Sequence, residues 1–208
     1  MPPMIERIGT VTVNGTALPP YLCTPEHLDE LAVGSLFVQG MIHSAADVLD
    51  IHTDELNVSV RIAFENHPSP LSLAARLESL CVLPPSPPIP MDDAQALMVQ
   101  LADYEVYFGT HCIALRTPGE IHFREDIGRH NALDKVIGRG LMDNIDFGQC
   151  VMAATGRISL EMLIKTASAC IPCIVTKKYP SDLAVEHAQR LGIHIIGNAL
   201  SPKPVLYA

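Results

Sequence analysis

The sequence predicts an α/β fold, a mixed or largely parallel sheet covered by helices, preceded by a smaller α+β unit. Three observations carry that expectation. From Gly128 onward, helical and strand-like segments alternate. The strand-like segments there are short continuous apolar runs, as in a sheet buried on both faces. Upstream, Pro84-Pro85-Ser86-Pro87-Pro88-Ile89-Pro90 cannot be helix or central strand, because each proline fixes its own backbone and lacks a donor. This divides the chain into an N-terminal unit (1–83), a linker (84–90) and a larger α/β domain (91–208).

In the first unit, Ile8 to Val13 alternates loosely and is followed by Asn14-Gly15, a strong two-residue hairpin signal. Thr24-Pro25 offers an N-cap with proline at the first helical position, and Leu28, Leu31, Ala32, Ser35 and Leu36 recur at helical spacing up to about Gly40. Leu56 to Phe64 alternates Val58, Val60 and Ile62 with polar residues and reads as a half-buried strand. Past the linker, Asp92-Asp93 open a helix to about Leu101, and Ile113-Ala114-Leu115 and Ile121 to Phe123 form a hairpin around Pro118-Gly119. Then follow a helix over Ala132–Arg139, a strand over Cys150–Ala154 and a helix over Leu160–Ala169. A strand over Ile174–Thr176, a helix over Leu183–Leu191 and a last strand, His194–Ile196, complete the chain.

Nearly half of the 208 residues are apolar (48%) and 18% are charged, which suits a packed core. No apolar stretch reaches the roughly 18–20 residues of a membrane span, and Met-Pro-Pro-Met-Ile-Glu-Arg at the start lacks a secretory pattern, so a cytoplasmic protein without membrane association is expected. A net charge of −9 argues against a nucleic-acid partner. Six scattered cysteines form no disulfide framework, and most are expected to be small buried side chains.

The densest chemistry lies in Glu125-Asp126-Ile127-Gly128-Arg129-His130-Asn131-Ala132-Leu133-Asp134-Lys135, where a loop enters a helix. Gly128 permits close backbone approach, the helix N-terminus offers N–H groups to an anion, and Arg129 and His130 add donors. The alternative is a charged loop capped by Asn131. Thr155-Gly156-Arg157-Ile158-Ser159, after a buried strand and before a helix, is a second place where an α/β sheet holds ligands, with Glu161 and Lys165 beyond it. The alternative there is an ordinary cap with a surface lysine. Cys170-Ile171-Pro172-Cys173 follows a helix and precedes a strand, the reverse of a thioredoxin-like redox pair, and reads first as buried packing. His-x-Glu and Pro-Cys-x-x-Cys, the strings of a deaminase zinc site, do not occur, so no zinc or other metal is expected.

These runs together resemble the formate dehydrogenase accessory sulfurtransferase family, FdhD/NarQ. The Glu125–Lys135 run is similar to its signature, and Thr155-Gly156-Arg157-Ile158-Ser159-Leu160-Glu161-Met162 is similar to its Ser-Gly-Arg-x-Ser-x-Glu-Met segment. Ala169-Cys170-Ile171-Pro172 stands where the family has Ala-Gly-Ile-Pro. Val13-Asn14-Gly15, Glu30-Leu31-Ala32-Val33-Gly34, Gly40-Met41-Ile42 and Gly109-Thr110-His111 also match. The resemblance implies a cytidine-deaminase-like larger domain and a homodimer. It implies transfer of persulfide sulfur from a cysteine desulfurase to the molybdenum bis(molybdopterin guanine dinucleotide) of formate dehydrogenase, bound as substrate.

By the same resemblance the cofactor would lie against His111, Asp126, Gly128, Arg129, His130, Asn131, Lys135, Arg157 and Ser159, and against the loop Asn198-Ala199-Leu200-Ser201-Pro202-Lys203. The family's Cys-Gly-x-Cys-Gly loop is reduced here to Ser79-Leu80-Cys81-Val82-Leu83, leaving Cys81 as the single candidate catalytic thiol. Three readings stay open at this point: a sulfurtransferase using Cys81, a non-enzymatic cofactor-binding protein with Cys81 packed among Leu80, Val82 and Leu83, and a redox protein using Cys170 and Cys173.

Overall fold

The computed structural model describes residues 4–63, 70–104 and 109–208. Phe64, the expected end of one strand, and the first three residues lie outside the described residues.

The N-terminal residues build a small mixed sheet. Strand β1 (Arg7–Val13) turns through Asn14 (φ 46°) and Gly15 (φ 85°) into β2 (Thr16–Ala17), the left-handed pair that a two-residue hairpin requires. β3 (Tyr21–Cys23) also pairs antiparallel with β1. Strands β4 (Val48–Asp54) and β5 (Asn57–Ile62) form a second hairpin, and β5 runs parallel to β1. Val58, Val60 and Ile62 of β5 point into the core as their alternation predicts. β4 escapes sequence analysis because almost all of its residues face solvent and leave no apolar period.

Helix α1 (Leu28–Val38) covers that sheet. It starts later than the Thr24-Pro25 signal suggests, because Thr24 is committed to a tertiary contact described below. Its end follows expectation: Gly40 (φ 71°) donates to the Phe37 carbonyl and Met41 to that of Leu36, closing a Schellman motif. A short α2 (Leu73–Ser79), capped by Ser72, then leads into an irregular stretch from Leu80 to Pro90. The proline run is not a free tether: Leu83 N–H donates to the Leu191 carbonyl (2.8 Å), and His194 Nε2 lies 2.6 Å from the Ser86 carbonyl oxygen.

The second sheet has the order β11-β10-β9-β8-β6-β7. β6 (His111–Arg116) and β7 (Ile121–Asp126) form the expected hairpin. β8 (Val151–Ala154), β9 (Cys173–Thr176) and β10 (His194–Gly197) run parallel, and β6 is antiparallel to β8, so the sheet is mixed. β10 is not the last strand: β11 (Val205–Leu206) pairs antiparallel with it and covers the edge.

Helix α3 (Met91–Tyr104) packs Ala94, Leu97, Met98 and Leu101 on one face, against Ala114, Ala153 and Val175. Helices α4 (Arg129–Met142), α5 (Leu160–Ser168) and α6 (Asp182–Leu191) cover the other, against Ile113, Met152, Ile174 and Ile195. The two sheets meet through α1 and α4. A Cβ on Gly34 would sit 1.8 Å from the Asp134 carbonyl oxygen, and one on Gly138 would sit 1.9 Å from that of Glu30, so the helix backbones touch where each has a glycine.

Candidate functional site

The three parallel strands β8, β9 and β10 end at one edge of the sheet, and the loops that follow them interlock there. Thr176 Oγ1 donates to the Gly156 carbonyl (2.6 Å), Ala199 N–H to the Thr176 carbonyl (3.1 Å) and Asn198 N–H to the Lys178 carbonyl (2.8 Å). Asn198 holds left-handed backbone (φ 54°), which asparagine tolerates better than most residues. Ser159 caps α5, its hydroxyl accepting from Met162 N–H (3.4 Å). Gly156 is where the site narrows: a Cβ there would lie 3.2 Å from His111 Nδ1 and 3.4 Å from Arg129 Cδ. His111 and Arg129 therefore converge on the loop from β6 and from the first turn of α4.

Arg157, Lys178 and Lys203 are exposed on these same loops, with Leu200 and Pro202 beside them, while Ala199 is buried. Ser201 is tied down at both ends, its carbonyl accepting from Gln95 Nε2 (2.9 Å) and its hydroxyl from Lys203 N–H (2.9 Å). Lys177 and Lys178 are missed by sequence reasoning. Their local surroundings carry no motif, and only the loop contacts across strands bring them to this edge.

The Glu125–Lys135 run divides by depth. Asp126 and Lys135 have no exposed surface and form an ion pair (2.7 Å). Asp126 also accepts from Thr24 N–H and Oγ1 (3.1 Å each), from Gly128 N–H (2.9 Å) and from Asn131 Nδ2 (3.0 Å). Lys135 Nζ donates to Thr24 Oγ1 (2.8 Å) and to the Thr24 and Glu125 carbonyls (3.2 and 3.4 Å). Asn131 also donates to the Leu22 carbonyl (2.7 Å), so it braces β3 rather than capping α4, whose N-cap is Gly128. Asp126 and Lys135, expected against a ligand, are thus fully buried and fix the start of α4, with half-buried Asn131 bracing them from above. Gly128, Arg129 and His130 lie nearer the surface, all half-buried, and Arg129 Nε has no partner among the described residues.

A band of charge crosses α4 and α5 from there. Lys165 Nζ contacts both Asp134 oxygens (2.7 and 2.5 Å) and both side chains are buried, so Lys165 is a core ion pair and not a surface cation. His130 lies between Glu161 (3.9 Å) and the cations Lys165, Arg129 and Arg76. Burial, reinforced by those cations against the pull of Glu161, pushes its pKa down to about 4. His130 is therefore neutral at pH 7. Because its folded pKa lies below the ordinary value of about 6.5, its contribution to stability is complete above that value and is lost as pH falls toward 4. An NMR titration of the imidazole is expected to show no protonation between pH 7 and about 5.5, and a midpoint near 6.5 would refute this environment.

At the C-terminal end of α5, a separate cavity of about 300 Å³ is lined by Phe37, Ile42, Leu80, Arg76, Cys81 and Cys170, among others. Of the two readings left open for Cys81, the packed one does not hold: Cys81 is exposed. The expectation that Cys170 and Cys173 are both buried packing is corrected in part. Cys170 is also exposed, and only Cys173 of that pair is buried, with its thiol pushed up to about 11 by desolvation. Cys23, Cys112 and Cys150 are buried as expected.

Cys170 holds left-handed backbone (φ 57°): its N–H donates to the Ala167 carbonyl and that of Ile171 to Thr166, a Schellman closure of α5. Glycine is preferred at that position, and a side chain costs about 1 kcal/mol. Arg76 is 9% exposed, yet its Nε and Nη2 have no partner among the described residues. No group of three or more His, Cys, Asp or Glu suited to a metal ion occurs among the described residues.

The scaffold is a mixed α/β fold with basic loops at the carboxyl ends of its parallel strands and two accessible thiols in a cavity of their own. The model of the FdhD/NarQ family matches residues 4–208, and the chain belongs to that family. It is 32% identical to the sulfur carrier protein FdhD of Geobacillus kaustophilus, over 90% of this chain and 81% of that protein. It is 33% identical to the protein of the same name from Saccharolobus solfataricus, over 84% of this chain and 75% of that one. A crystal structure assigned as a formate dehydrogenase accessory protein from Desulfotalea psychrophila superposes with a TM-score of 0.86 at 25% identity, covering 98% of this chain and 87% of that one.

Proposed function

We propose that this protein carries sulfur during maturation of a formate dehydrogenase. In this reading Cys81 accepts sulfur from a cysteine desulfurase. The Cys81 thiolate attacks the terminal sulfur of the donor persulfide, a new sulfur–sulfur bond forms on Cys81, and the donor cysteine leaves as thiolate. The cargo then passes to a molybdenum bis(molybdopterin guanine dinucleotide) held as substrate. The observation that carries the reading is the exposed Cys81 thiol, on an irregular segment at the mouth of a cavity that also holds the unpartnered Arg76 guanidinium. The names of the relatives, sulfur carrier and formate dehydrogenase accessory protein, agree with it.

The substrate phosphates suit the carboxyl edge of the parallel strands, where Arg129, His130, Arg157, Ser159 and His111 meet the loop from Asn198 to Lys203. Lys177 and Lys178 add charge to that rim. The reading includes a homodimer in the cytoplasm, with 1–83 as a small unit, 84–90 as connector and 91–208 as a cytidine-deaminase-like domain. The parallel run β10-β9-β8 extended by antiparallel β6 and β7 supports the last point. No helix among the described residues is long and apolar enough to cross a membrane.

Incubation with a cysteine desulfurase and cysteine, followed by intact-mass measurement, tests the reading. The wild type is expected to gain one sulfur atom that maps to Cys81, and Cys81→Ala to gain none there and to leave formate dehydrogenase inactive. Saturable binding of a guanine nucleotide without any sulfur loading would overturn the carrier role in favour of a non-enzymatic cofactor-binding protein.

A further inference from the structure

The carrier role uses one thiol of the cavity, and two other groups there are poorly compensated by the fold. Cys170 is exposed on left-handed backbone that glycine would adopt freely, so its side chain adds little burial to offset its conformation, and partial desolvation, with Cys81 beside it, raises its thiol pKa. Arg76 is withdrawn from water with two nitrogens unpartnered among the described residues; the buried Asp134 carboxylate acts on it through space, but the two lost hydrogen bonds would be replaced only by an anion or water in the cavity. Both line the same cavity as Cys81. The other polar groups of the lining are Ser79, Ser168 and His43, the last exposed at its rim.

We infer that Cys81, Cys170 and Arg76 form a two-thiol release site, in which Cys170 expels the sulfur carried on Cys81 as hydrosulfide and Arg76 holds the anionic persulfide beforehand. The inference rests on the carrier reading and adds a second reacting residue to it. Cys170 gives up its proton, and its sulfur attacks the inner sulfur of the persulfide, Cys81 Sγ. A bond forms between Cys170 Sγ and Cys81 Sγ. The bond between Cys81 Sγ and the terminal sulfur breaks, its electron pair stays on the terminal sulfur, and that atom leaves as HS⁻ with the proton. The sulfane sulfur is reduced by two electrons and the two cysteines are oxidised to a disulfide, so no outside oxidant or reductant enters the release step. A dithiol reductant restores the pair for another cycle.

A disulfide requires the two Cα atoms to approach within about 7 Å. Cys81 has the freedom for this, because it lies in an irregular segment between α2 and the backbone tie from Leu83 to Leu191. Cys173 is not the partner of Cys170: it is buried in β9 on the face packed by α3.

Reduced, full-length protein is loaded with inorganic polysulfide without oxygen, freed of excess reagent, and divided. One portion is alkylated at once to locate the added sulfur, and the other is followed for hydrosulfide by trapping. The wild type is expected to release one hydrosulfide for each Cys81 persulfide and to yield a peptide joining Cys81 to Cys170. Cys170→Gly, which suits the left-handed backbone and keeps the fold, is expected to load equally but to release at a rate lower by roughly tenfold or more, since an intramolecular thiol is lost. Arg76→Gln is expected to load less sulfur, and Arg76→Lys to restore it. Release at the wild-type rate from Cys170→Gly, or a disulfide joining any other pair, would overturn the inference while leaving the carrier reading intact. Absence of sulfur on Cys81 in the first portion would overturn both.

Discussion

Replacing Gly34 by alanine is expected to destabilise the protein by at least about 3 kcal/mol, at the upper end of what overpacking costs. The added Cβ would lie 1.8 Å from the Asp134 carbonyl oxygen and 2.8 Å from Gly138 N, and these are backbone atoms that cannot rotate aside. α1 and α4 would have to separate, and the ion pair of Asp134 with Lys165 hangs on the displaced segment. For a chain of this size the melting temperature is expected to fall by roughly 6–12 °C. Gly119→Ala is the control, because nothing lies within 4 Å of a Cβ there. It should change stability by no more than about 0.5 kcal/mol. Equal melting temperatures for the two variants would show that the helices do not meet at their glycines.

The second large effect is expected at Lys135. Lys135→Met keeps most of the side-chain volume but leaves Asp126 charged and buried, at a cost of about 3–5 kcal/mol for an ion pair broken on one side. Asp126 joins Thr24, Gly128 and Asn131, so the start of α4 should loosen with it. If the substrate phosphates lie against Arg129 as proposed, guanine-nucleotide binding should weaken in the variant even where it remains folded. Adding Asp126→Asn removes the orphaned charge and should recover part of the lost stability in chemical denaturation. A cost below about 1 kcal/mol for Lys135→Met alone would mean that the pair does not organise this end of the helix.

What sequence could foresee follows from the range of the forces involved. The Asn14-Gly15 hairpin, the alternation of β5, the closure of α1 at Gly40 and the helix–strand order after Gly128 are local consequences of backbone and periodicity, and they stand as expected. The start of α1 does not, because Thr24 carries a good capping side chain that the fold spends on Asp126 and Lys135, about a hundred residues away. The capping alternative for Asn131 fails for the same reason, since its side chain is spent on the Leu22 carbonyl and Asp126. The edge strands β4 and β11 are too exposed or too short to leave a pattern. At the sites, the basic residues of the motif runs could be named in advance, but their depth could not: Asp126 and Lys135 look like ligand contacts in one dimension and are core in three. The meeting of Cys81 with Cys170 and Arg76 joins the end of one helix to segments about ninety residues earlier, and no spacing rule covers it.

The contact between α1 and α4 also sets an order of events in synthesis. α1 can settle on its own sheet as soon as β5 has been made, but the face that carries Gly34 waits for Gly138. At about 5–20 residues per second, that face stands uncovered on the ribosome for several seconds while the proline run, α3 and the β6–β7 hairpin emerge. The carboxylate of Glu30, on the same face, has no Arg124 to pair with until the β6–β7 hairpin has been made. Nascent chains halted between β5 and α4 should accordingly be the forms most prone to capture by chaperones.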